Sequence, residues 1–137
     1  MSEAKAQGRK AIQVGKGIAL VVDSLSVLAP SDAEAVVICA APCDRESITL
    51  ALKAHPAAIF LNASAGEGDQ DGLSAADEAG IPCATVDMSA AHATDSKAMW
   101  SSGKVAALNA AARRRGAKEG MSVQHTAGLL LAWLRVA

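Results

Sequence analysis

The chain has 137 residues, with 13 lysines and arginines against 14 aspartates and glutamates, a length that suits one domain rather than two. A hydrophobic fraction of 51% excludes a disordered or collagen-like chain, and an odd count of three cysteines excludes a disulfide scaffold. A net charge of −1 lacks the basic excess that neutralising nucleic-acid phosphates requires, so no nucleic-acid partner is expected.

The core material is unusual. Trp100, Trp133 and Phe60 are the only aromatic residues, and 32 alanines supply much of the apolar count. Such a core needs backbones in close approach, because each alanine buries little area. With no tyrosine and one phenylalanine, platforms for stacking a nucleobase or flavin are few, so neither a flavin nor a nicotinamide cofactor is expected. Residues 1–17 are polar and show no apolar signal region, and no apolar run reaches membrane-spanning length, so no membrane partner is expected. Cys39, Cys43 and Cys83 read as free thiols in a reducing compartment. The expected location is cytoplasmic.

Residues 1–12 read as a loose leading segment of a single domain over 1–137. The run Gly17–Asp23 is rich in β-branched residues and too short for a helix, and it predicts a first strand. Ala35–Ala41, Ala57–Asn62 and Cys83–Met88 predict three more, the first two of them continuous rather than alternating, as strands covered on both faces are. The connection Leu25–Glu34 is short for a crossover helix, so the first strand could pair antiparallel or lie at an edge.

Helices fill the gaps. Asp44 can cap one that carries Ile48, Ala51 and Leu52 inward and stops at Pro56. Leu73, Ala76 and Ala79 mark a second, with Gly80 placed to end it. The spacing of Val105, Leu108 and Ala112 predicts a helix over Lys104–Arg115, divided by Gly103 from a less certain one after Ser89. Arg113, Arg114 and Arg115 then read as its solvated last turn. Ser122 can cap a final helix with Val123, Ala127, Leu130, Leu131 and Leu134 on one face. The alternation predicts an α/β fold: a single Rossmann-like three-layer domain with a small, mainly parallel sheet of about four strands and C-terminal helices. Leu129 and Trp133 form a second stripe on the last helix, which fits a homo-oligomer contact or a helix wedged into its own domain.

In an open parallel sheet ligands bind beyond the carboxyl ends of the strands, which directs attention to 42–45, 62–72 and 87–95. Cys43 precedes a helix beside Arg45, a setting that lowers a thiol pKa and favours a nucleophile. His92 and Asp87 follow the fourth strand and can serve as acid/base and orienting carboxylate. Asn62, Ser64, Ser89 and the amides of Gly66 and Gly68 can bind a small polar ligand, with Arg45 as cation. The G-x-G at 66–68 is neither a dinucleotide fingerprint nor a P-loop. Glu67, Asp69, Asp71 and Gly72, with Glu78 beyond, approach calcium-loop spacing, so Ca²⁺ or Mg²⁺ is the candidate cofactor, against a solvated acidic loop that caps a helix.

These residues lead to an expected small-molecule enzyme of hydrolase, lyase or isomerase type, acting on a small polar metabolite at the carboxyl rim. The alternatives are a non-catalytic ligand- or metal-binding module and an oligomeric accessory subunit.

Overall fold

The computed structural model describes residues 9–14, 17–22, 34–39, 45–62, 68–87 and 96–136. They form an α/β fold around a six-stranded sheet whose spatial order follows the sequence: β1 (Arg9–Val14), β2 (Gly17–Val22), β3 (Val36–Cys39), β4 (Ala58–Asn62), β5 (Cys83–Asp87) and β6 (Lys104–Leu108). The helices are α1 (Arg45–Leu52), α2 (Gly68–Glu78), α3 (Ser96–Ser102), α4 (Ala110–Arg114) and α5 (Val123–Val136).

Strands β2 to β5 pair in parallel and are the four that the apolar runs predict. The two further strands are the edges, and both pair antiparallel. Arg9–Val14, placed mostly in the loose leading segment by its polarity, pairs with β2 from Arg9↔Val22 to Val14↔Gly17. Alternation explains this: Ile12 and Val14 pack on the core while Ala11 and Gln13 are exposed, a half-buried pattern proper to an edge. The predicted helix over Lys104–Arg115 is replaced by β6, then Asn109, then the short α4. Pairing of Ala84 with Leu108 and Val86 with Val105 overrides the helix preference of an alanine-rich stretch.

The two faces have separate cores. Val36, Ile38, Phe60, Ala84 and Val86 lie with Met99 of α3 and with Val123, Ala127, Leu130 and Leu131 of α5. Val37, Cys39, Ile59, Leu61 and Cys83 lie with Ile48 and Ala51 of α1 and with Leu73 and Ala76 of α2. The crossovers through α1 and α2 step the same way across the sheet, so both helices cover one face. The strand order runs without reversal, so these strands do not build the switch-point crevice of a doubly wound sheet.

The turns at the amino ends are tightly made. Gly80 has φ +76°, its N–H donates to the Asp77 carbonyl and the Ile81 N–H to the Ala76 carbonyl, closing α2 as its glycine predicts. Gly116, at φ +96°, ends α4 with the same pair of bonds, from Gly116 N–H to Arg113 and from Ala117 N–H to Ala112. Ser122 caps α5 through its hydroxyl, which accepts from the His125 N–H at 3.1 Å.

Candidate functional site

The parallel strands end at Val22, Cys39, Asn62 and Asp87, and this carboxyl rim is where the sequence places the site. Cys43, Ser64, Gly66, Glu67, Ser89 and His92 lie outside the described residues, as do the side chains of Arg45, Asp69 and Asp71. The backbone at three of these positions is informative. Arg45 opens α1, while Gly68, Asp69 and Asp71 belong to α2, which begins four residues before the expected loop ends at Gly72. Positions 69 and 71 stand on nearly opposite sides of a helix, so the calcium-loop spacing falls largely on helical backbone instead of a loop. Among the described residues no group of three acidic, histidine or cysteine side chains could hold a metal ion.

Sheet register separates two other candidates. Asn62 pairs with Val86, which belongs to the core under α3 and α5. Asp87 follows Val86 and therefore falls on the opposite face, the one covered by α1 and α2. Asn62 is buried and Asp87 exposed, with Lys104 as its strand partner. The rim thus divides into two parts. The starts of α1 and α2 and Asp87 serve one face, and Asn62 serves the other, together with Ser96, whose buried hydroxyl donates to the Val22 carbonyl at 2.7 Å.

On that second face a cleft of about 470 Å³ opens between α3 and the β1–β2 pair. Ile12, Val21, Ala98 and Trp100 supply its apolar surface, and Lys10 and Lys97 its charge. Ser101 and Ser102 also line it, each with its hydroxyl donating to the Ala98 carbonyl, at 3.5 and 3.1 Å. Sequence reasoning missed this cleft because it leaves the β1 segment loose. The signal available was the alternation Lys10, Ile12, Val14 ahead of Gly15 and Lys16, a two-residue glycine connection between strand-like runs.

The strand cysteines behave as packing residues. Cys39 and Cys83 are buried. Burial pushes the Cys83 thiol up to about 12, against a smaller lowering by the Ala84 backbone. The unfolded thiol ionises near 9.0 and the folded one near 12, so the contribution is complete below the first value and lost as pH rises to the second. Wild type is therefore expected to lose stability across that window more steeply than Cys83→Ala, a difference that urea unfolding at successive alkaline pH values measures.

The described histidines do not form a site. His55 is exposed at φ +54° before Pro56, with its carbonyl accepting from the Glu34 N–H, and His125 lies exposed in the first turn of α5. Arg113 and Arg114 are exposed in the last turn of α4, where Arg113 pairs with Glu119 at 2.9 Å, but Arg115, expected in the same solvated turn, caps the helix half-buried and donates to the Gly80 carbonyl at 3.3 Å. Leu129 is half-buried and packs on the core of its own chain, while the Trp133 side chain lies outside the described residues. No helix among the described residues is long and apolar enough to cross a membrane. Compared with known proteins, the chain matches no family model, no curated protein and no solved structure.

Proposed function

We propose that this protein is a small-molecule enzyme, of hydrolase, lyase or isomerase type, that acts on a small polar metabolite at the carboxyl rim of its sheet. The observation that carries the reading is that α1 and α2 both begin at this rim on the face to which Asp87 belongs. In the sequence Cys43 comes two residues before Arg45, which opens α1, and Gly66 and Glu67 directly precede Gly68, which opens α2. Cys43 is then the nucleophile or base, His92 the acid/base and Asp87 the group that orients it. Arg45, Ser64, Ser89 and the amides of Gly66 and Gly68 position the substrate, and a divalent cation, as a subsidiary part of the same proposal, would draw on Glu67 with one of Asp69 and Asp71, since α2 sets those two on nearly opposite sides. Asn62, being on the other face, contributes only through substrate that reaches over the strand ends. A homo-oligomer through Leu129 and Trp133, a cytoplasmic setting and a Rossmann-like three-layer arrangement complete the proposal.

Iodoacetamide labelling of the native full chain tests the nucleophile. Cys43 is expected to react alone, with Cys39 and Cys83 silent until denaturant is added, and to react several-fold more slowly in Asp87→Asn. Equal labelling of all three thiols, or none at Cys43, removes the Cys43 role.

The second reading, a binding module without chemistry of its own, is favoured by the cleft under α3, whose described lining has two lysines and neither a carboxylate nor a thiol.

A further inference from the structure

We draw no further inference here: the strongest candidate, the cleft of about 470 Å³ between α3 and the β1–β2 pair, carries no ligand assignment, because Lys97 in its wall is already engaged and nothing in the structure shows what covers it.

Discussion

Replacement of Asn109 by alanine is expected to lower the unfolding free energy by about 4 kcal/mol, the largest effect of any single polar truncation in the described fold. Asn109 is buried directly after β6 and joins elements that the chain brings together from a distance. Its Oδ1 accepts from the Cys83 N–H and the Ala112 N–H, each at 3.0 Å, and its Nδ2 donates to the Leu73 and Ile81 carbonyls at 3.3 and 2.9 Å. One side chain thus caps α4, starts β5 and holds the end of α2. Its own N–H adds a bond to the Cys83 carbonyl, and Asp77 of α2 accepts from the Ala111 N–H at 2.8 Å beside it. Alanine leaves two donors and two acceptors unpaired where little water reaches, at a cost of roughly 1–3 kcal/mol for each one that finds no substitute. A drop of roughly 10–15 °C in melting temperature follows for a domain of this size.

Two further variants separate the clamp from the cap. Asn109→Ser keeps a cap for α4 and loses the bonds to Leu73 and Ile81, and it should recover only about 1 kcal/mol of the deficit. Asn109→Asp keeps both accepted bonds but turns a carboxylate oxygen toward the two carbonyls. It should be at least as damaging as alanine near neutral pH. Its buried carboxyl has a raised pKa, so the deficit shrinks on acidification, when the protonated form again donates. Urea unfolding of the variants at about pH 7 and about pH 4 checks both outcomes. Full recovery in Asn109→Ser would mean that capping alone accounts for the role.

Asn109 also marks where the sequence is hardest to read. An asparagine after an apolar run is an N-cap signal, and here it starts α4 as well as closing β6. Val105, Leu108 and Ala112 nevertheless share a helical stripe, and alanines at 106, 107, 110 and 111 favour a helix wherever packing does not decide. Packing does decide, because β5 has an open edge and Val105 can bond both ways: it pairs with Val86, its N–H donates to the Met121 carbonyl and its carbonyl accepts from Gly120. Those partners are distant in sequence and leave no local trace. The four parallel strands are legible for the opposite reason. Burial on both faces makes Val36–Cys39 continuously apolar and leaves Asn62 the one polar residue of Ala58–Asn62, a pattern that needs no knowledge of neighbours.

The candidate site can be placed from the sequence by topology but not by side chains. Parallel strands direct a candidate site to their carboxyl ends, and composition picks out the polar segments there. Which face each residue serves depends on register, and register depends on pairing that a single strand does not reveal. Asn62 and Asp87 look like neighbours in a list of rim residues, and pairing of Asn62 with Val86 sets them on opposite faces. The cleft under α3 required the β1–β2 pairing and the long-range bond from Ser96 to Val22. Neither is encoded by a motif.

Gly103→Ala is the second large effect, expected at about 3 kcal/mol, toward the upper end for added bulk in a packed interior. Gly103 is buried between α3 and β6. A Cβ there would stand 2.5 Å from the Met99 carbonyl oxygen, 2.7 Å from Val86 Cγ1 and 3.1 Å from Val123 Cγ2. Val86 and Val123 are fully buried, so neither has room to turn aside. The carbonyl contact is with backbone, and it cannot be relieved by a rotamer. Moving it means moving the end of α3, because the Gly103 N–H donates to that same Met99 carbonyl, while the Gly103 carbonyl accepts from Val123 at the start of α5. The glycine is therefore where α3, β6 and α5 are held at once. If the backbone contact dominates, adding Val86→Ala to Gly103→Ala brings no recovery and contributes a further loss of about 2 kcal/mol for the emptied space. If the double variant proves more stable than Gly103→Ala alone, the side-chain contact is the controlling one and α3 is free to shift.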